Sequence, residues 1–240
     1  MKRYIFFIPA LLIITAFIMS PQSYVVDEEL FVMHEVDPAL GDLRMFWRDA
    51  DGKIYGSLSR LRKSVEQEGN TLRFAMNGGM YLRDQSPQGL YIENGELKSE
   101  INLKNSTYGN FYMQPNGIFY LTENGDANVI TTSEFKHSSD VTYATQSGPM
   151  LLIKGEYHPK FMMGSSNLHI RNGVGILPNG HVLFAMSKKP VNFYDFATLF
   201  KQNGCEDALY LDGFVSRTYL PEKKWIQEDG GFGVIIGEVK

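Results

Sequence analysis

Residues 191–214 read VNFYDFATLFKQNGCEDALYLDGF, and this stretch decides the fold class. Phe193, Phe196, Ala197 and Phe200 recur on one helical face, Asn192 stands at the N-cap position, and Gly204 stops the run. Beyond the stop, Ala208–Leu211 is a short apolar run of strand type that closes on a polar cluster, Asp212-Gly213-Phe214-Val215-Ser216. The same unit occurs upstream. Leu58, Leu61 and Val65 share a helical face, Gly69 stops it, and Leu72–Met76 runs into Asn77-Gly78-Gly79. Further strand-type runs are Leu43–Trp47, Gly89–Ile92, Gly117–Leu121, Asn128–Thr132, Pro149–Ile153, Val174–Leu177, His181–Met186 and Gly233–Ile236. Asn94-Gly95, Asn116-Gly117, Asn124-Gly125 and Asn179-Gly180 mark hairpin turns, because both residue types tolerate positive φ. These features predict an α+β fold: a single domain with a mixed, mostly antiparallel β-sheet core and a few packed helices. Its sites are expected at strand ends.

The composition narrows the function. With 43% apolar residues among 240, the chain builds a core and is not a disordered segment. Its charge is 23 − 27 = −4, which argues against a broad nucleic-acid surface, since phosphate backbones demand a basic stripe. A single cysteine, Cys205, excludes an internal disulfide framework and a thiolate-rich zinc site. It sits among apolar residues and reads as buried filler.

Residues 1–23 read as an address. Lys2 and Arg3 precede an apolar stretch from Ile5 to Met19, and no charge falls between Tyr4 and Val26. This pattern predicts export, with the segment acting as a signal peptide or as an N-terminal membrane anchor through residues 4–20. Ile18/Ser20 and Pro21/Ser23 are poor cleavage pairs. Residues 24–240 form the expected domain, which is extracytoplasmic (periplasmic, secreted or held at the membrane), and its charge is 21 − 27 = −6.

Four polar clusters are the candidate sites. Asn77-Gly78-Gly79-Met80-Tyr81 pairs an amide with two glycines, which permit close backbone approach and an anion-holding nest of N–H groups. Gln146-Ser147-Gly148-Pro149 offers an amide and a hydroxyl before an apolar strand. Arg171-Asn172-Gly173-Val174-Gly175 places a cation at a strand start, and its Gly-x-Gly is no dinucleotide fingerprint because a strand follows. Asp212 projects from the end of a buried strand, where a carboxylate either caps a turn or does chemistry. Taken singly, the first and last read as plain turns and Arg171 as readily a surface residue. There is no His-Glu-x-x-His, Gly-x-Ser-x-Gly or P-loop. His158 and His169 are the histidines nearest these clusters, and a lone histidine is usually structural. Asn105-Ser106-Thr107 matches a glycosylation sequon. No spacing calls for a metal or another cofactor.

In this order the clusters resemble the phosphodiester glycosidase family. The shared pattern comprises Asn77-Gly78-Gly79 with the aromatic Tyr81, Pro87-Gln88-Gly89, Asn94-Gly95, Ser147-Gly148-Pro149, Arg171 to Gly175, and Leu211-Asp212-Gly213 with Ser216. It covers roughly residues 40–239 and looks especially like a bacterial branch carrying Gln114-Pro115-Asn116-Gly117 and Thr145-Gln146-Ser147. One departure stands out. The family usually carries further glycines after the aspartate, where this chain has Phe214-Val215, which puts the accepted sugar in question.

The resemblance implies a hydrolase that cleaves the bond between an anomeric carbon and a phosphodiester oxygen. Ordinary glycosidases use two carboxylates, one to protonate a poor alkoxide leaving group. A phosphomonoester leaves far more readily, its second pKa being about 6. One carboxylate and a cationic clamp then suffice. On this reading Asp212 is base or nucleophile, Arg171 with the Gly78 and Gly79 amides holds the phosphate, and Asn77, Ser147, Gly148, Asn172 and Ser216 orient the substrate. Glu93 and Asp195 are reserve acids whose positions a turn and a helix cap also explain. The expected partner is a small-molecule or glycan sugar-1-phosphodiester. A non-catalytic envelope module that binds phosphorylated glycans is the alternative, and a P–O phosphodiesterase is disfavoured for want of a two-metal site or a histidine pair.

Overall fold

The computed structural model describes residues 24–105, 108–212 and 215–240, together with Met1. Residues 2–23, where an export segment is expected, the Ser106-Thr107 part of the sequon and Gly213-Phe214 therefore lie outside the described residues. The first half of the chain holds β1 (Phe31–Val36), β2 (Asp42–Phe46), helix α1 (Leu58–Gln67), β3 (Leu72–Asn77), β4 (Tyr91–Glu93), β5 (Glu96–Ser99), β6 (Gly117–Thr122), β7 (Ala127–Thr131) and β8 (Val141–Ser147). The second half holds β9 (Met150–Ile153), β10 (Glu156–Tyr157), β11 (Asn172–Ile176), β12 (Val182–Ser187), helix α2 (Phe193–Gln202), β13 (Ala208–Asp212), β14 (Thr218–Leu220), β15 (Trp225–Ile226) and β16 (Ile235–Val239).

These strands form three sheets, ordered β1-β12-β11-β13-β9-β10, β15-β14-β3-β16-β2 and β5-β4-β8-β6-β7. Every pairing between the described strands is antiparallel, so the expected mixed sheet is corrected, and the molecule is mostly β with two helices. The helices explain why. α1 links β2 to β3 across β16, and α2 links β12 to β13 across β11. Each helix joins two strands that run the same way, but an antiparallel strand fills the gap, and no parallel neighbours meet.

Local chemistry sets both helices. The Ser57 side chain accepts from Arg60 N, Asn192 Oδ1 accepts from Asp195 N at 2.8 Å, and Gly69 and Gly204 follow the helix ends at φ 82° and 85°. Each cap contributes about 1 kcal/mol by satisfying an orphan N–H. The Asn94-Gly95 turn has φ of 52° and 76°, as its hairpin requires. Asn116-Gly117 is a correction: Gly117 opens β6, and Asn116 is buried with Nδ2 donating to Phe111 O. A Cβ at Gly117 would lie 2.2 Å from Met150 Sδ, so this glycine serves close packing and not a turn.

The principal core is enclosed by all three sheets. Phe184 of the first sheet meets Phe74 of the second at 4.9 Å and Phe119 of the third at 5.9 Å between ring centroids. Each helix covers the outer face of one sheet. Leu58, Leu61 and Val65 pack on Leu72, Ala75 and Ile235, while Phe196 and Phe200 pack with Leu151, Ala208 and Tyr210. These two helix-covered strands, β3 and β13, are the ones whose ends meet. Among the described residues no helix is long and apolar enough to cross a membrane.

Candidate active site

β3 ends at Asn77, β11 begins at Asn172 and β13 ends at Asp212, and the two asparagine side chains close a ring with the carboxylate and backbone N–H of Asp212. Asn77 Nδ2 donates to Asp212 Oδ2 at 2.9 Å. Asn172 Nδ2 donates to Asn77 O at 2.9 Å and to Asn77 Oδ1 at 3.0 Å, and Asn172 Oδ1 accepts from Asp212 N at 2.9 Å. Arg217 N adds a further bond to Asn77 Oδ1 at 2.9 Å. The ring therefore joins two sheets. All three side chains are buried, as buried polar groups can be only when hydrogen-bonded.

A bulge aims the carboxylate. Asn172 pairs with Asp212 but Gly173 pairs with Tyr210, so Leu211 is the extra residue on β13. Ser147 Oγ donates to Leu211 O at 2.5 Å, satisfying the carbonyl at the bulge. Ser216 Oγ donates to Asp212 O at 2.8 Å and fixes the other side of the aspartate. The structure thus brings Asn77, Ser147, Asn172, Asp212 and Ser216 together. It gives Asn172, Ser147 and Ser216 hydrogen bonds that hold the carboxylate's frame.

Arg171 is next to the ring and wholly buried. Its Nε donates to Val191 O at 2.9 Å, and its Nη2 donates to Asn167 O at 2.9 Å and Asn167 Oδ1 at 3.1 Å. The guanidinium carbon lies 3.6 Å from the Phe193 ring centroid. Nη1 has no hydrogen-bond partner. Burial lowers the group's pKa, with the neighbouring Tyr210 opposing this. A forked, two-nitrogen clamp is not what this geometry offers, because Nε and Nη2 are committed and only Nη1 remains.

The glycines act by size. Gly78 N donates to Val234 O at 2.9 Å, so the expected nest of two open amides is corrected: the neighbouring chain segment takes that donor. A Cβ on Gly78 would lie 2.5 Å from Ile236 Cγ1, one on Gly79 2.5 Å from Thr145 Oγ1, and one on Gly148 2.6 Å from Asn116 Cβ. They let segments close around the ring.

Two tyrosines complete the surroundings. Burial pushes the Tyr81 hydroxyl up to about 12, with the Asp212 charge adding to the effect. Tyr210 is buried with its hydroxyl in no well-aligned hydrogen bond, and burial raises its pKa while the charge and proximity of Arg171 work against the rise. Tyr210 carried no sequence signal beyond its place two residues before Asp212. The other candidates have business elsewhere. Asp195 accepts from Tyr24 and Asn192, and burial raises the Glu93 pKa beside Trp47 and Tyr91. His158 stacks on Phe161, and burial pushes it down to about 4.

A profile of the phosphodiester glycosidase family matches residues 70–232, which include the whole ring, Arg171 and Tyr210. The chain belongs to this family. It is 39% identical over 189 residues to the uncharacterized protein YigE of Escherichia coli (strain K12), covering 78% of this chain and 73% of that protein. The fold is shared with the catalytic domain of zebrafish N-acetylglucosamine-1-phosphodiester alpha-N-acetylglucosaminidase, solved auto-inhibited by its pro-peptide. That likeness has a TM-score of 0.58 at 14% identity and covers 87% of this chain and 81% of the other. A hypothetical protein from Synechocystis is similar with a TM-score of 0.52 at 14% identity, over 87% of this chain and 59% of its own. Family membership implies a hydrolase acting on sugar phosphodiesters.

Proposed function

We propose that the chain hydrolyses the anomeric C–O bond of a sugar-1-phosphodiester, releasing free sugar and a phosphomonoester, and that it does so outside the cytoplasm. The observation that carries this reading is a buried, amide-oriented carboxylate whose partner Asn172 directly follows a buried arginine in the chain. Asp212 is oriented by amides, and Arg171 is held by neutral oxygens with Nη1 unspent. A buried cation held only by neutral groups is costly, and a phosphate offsets that cost.

In this reaction Asp212 serves as base or nucleophile at the oxocarbenium-like carbon. Asn77 holds its carboxylate oxygen in place, and Arg171 receives the charge that grows on the departing phosphate. The phosphate goes from one negative charge in the diester to two in the monoester, so its attraction to a fixed cation grows as the bond breaks. Export rests on the basic-then-apolar leader.

Incubation with a panel of sugar-1-phosphodiesters in ¹⁸O-labelled water tests the assignment. Label in the released sugar is expected, and label in the phosphate refutes it. Asp212→Asn is expected to lower turnover by about 10²–10⁴, the usual contribution of a positioned base. Turnover within threefold of wild type removes Asp212 from the mechanism. Binding of a phosphodiester without release of sugar would identify a non-catalytic glycan-binding module instead.

A further inference from the structure

Tyr210 and Arg171 flank the Phe193 ring. The Tyr210 ring meets Phe193 edge-on at 4.9 Å, and the guanidinium carbon of Arg171 lies 3.6 Å from the Phe193 centroid and 5.4 Å from the Tyr210 centroid. Both side chains are fully buried. Each carries one polar atom, the Tyr210 hydroxyl and Arg171 Nη1, that makes no hydrogen bond of good geometry, and the two side chains are close enough to interact with each other. Buried donors of this kind are rare because each costs about 1–3 kcal/mol of desolvation. Tyr210 feels the charges of both Arg171 and Asp212, in opposite directions, and the strand places it only one bulge away from the carboxylate.

We propose that Tyr210 is a leaving-group residue, its hydroxyl and Arg171 Nη1 together holding one oxygen of the phosphate as it leaves the anomeric carbon at Asp212. This rests on the reading above and adds to it a second donor to the departing phosphate. In the step, the C1–O bond breaks and its electron pair stays on the phosphate oxygen. A water oxygen bonds to C1, and the water's proton passes to Asp212 and then to solvent. Tyr210 keeps its own proton throughout, because burial holds it on the oxygen well above neutral pH. It stabilises charge by donating a hydrogen bond, which is strongest to the dianionic product-like state.

Tyr210→Phe in the full chain isolates the hydroxyl while keeping the ring that packs on Phe193. Three readouts are taken: turnover of methyl α-N-acetylglucosaminyl phosphate and related sugar-1-phosphodiesters, affinity for inorganic phosphate by calorimetry, and the thermal midpoint. Loss of one oxyanion donor is expected to lower kcat by about 10²-fold. Phosphate affinity should fall about tenfold, the effect of losing a single hydrogen bond to a charged group. The midpoint should stay level, since the removed hydroxyl has only a poorly aligned contact with Arg171 to lose. Phosphate affinity and turnover within threefold of wild type overturn the inference while leaving the hydrolase reading intact. A midpoint that falls along with activity also overturns it, by showing a structural role. Tyrosine-dependent phosphate binding in a protein that releases no sugar from any phosphodiester upholds the site and refutes the reading.

Discussion

Asn77→Asp turns the buried ring into a titratable device. The substitution sets a second carboxyl 2.9 Å from Asp212, where Asn77 Nδ2 now donates. When protonated, the new group reproduces the wild-type pattern: its carbonyl accepts from Asn172 Nδ2 and Arg217 N, and its O–H donates to Asp212 Oδ2. When ionised, two like charges face each other. At 2.9 Å and an effective dielectric of 20 their repulsion is about 6 kcal/mol, or roughly 4 pKa units. The pair therefore keeps one shared proton to about pH 8 in the folded state, whereas an unfolded aspartate loses it near 3.9. A folded pKa raised in this way leaves the variant as stable as wild type below pH ~4 and progressively weaker as pH rises to ~8. The deficit at pH 7 is about 4 kcal/mol, which for a chain of this size lowers the melting temperature by roughly 8–16 °C. Melts of both proteins at intervals from pH 4 to 8 measure it. A difference in melting temperature that does not change with pH would refute the ring as drawn, because the loss would then owe nothing to a carboxylate pair.

Two other groups give independent checks. His158 is buried neutral with its pKa pushed down to about 4, so stability should fall as pH drops from ~6.5 towards 4; His158→Phe should flatten that limb in urea unfolding curves. Cys205 is buried with its thiol pushed up to about 12, so iodoacetamide at pH 7.5 should leave the native protein unmodified and alkylate it in denaturant, with rapid native alkylation contradicting the packing.

The helix-to-strand units were legible because each has its own punctuation. Apolar residues at helical spacing, a capping side chain and a glycine stop act within one segment, and both helices lie where Leu58–Val65 and Phe193–Phe200 place them. β8 was not legible. Its sequence VTYATQS reads as polar, yet Thr145, Gln146 and Ser147 are buried at the centre of the third sheet. Tertiary partners make this affordable for Gln146, whose Oε1 accepts from Leu90 N and Asn102 N while Nε2 donates to Asn102 O. β1 was hidden in a similar way by His34, which is buried against Glu238 at 2.7 Å. At the site, residue types were readable but vectors were not. Arg171 suggested a fork, and only the fold shows that Val191 and Asn167 occupy most of it. Tyr210 lies inside the apolar run Ala208–Leu211, and only the fold shows that its hydroxyl lies near Arg171 without a well-aligned hydrogen bond.

The ring of Asn77, Asn172 and Asp212 also fixes when the molecule becomes competent. Its hydrogen bonds span 95 and 135 positions of sequence and cross from one sheet to another. Contacts this distant along the chain close only after much loop entropy has been surrendered. Neither sheet alone carries a usable constellation, since the carboxylate and its orienting amide arrive on opposite sides of the seam. A chain in which these two sheets have not met lacks the ring, so any turnover that depends on Asp212 reports that they have docked.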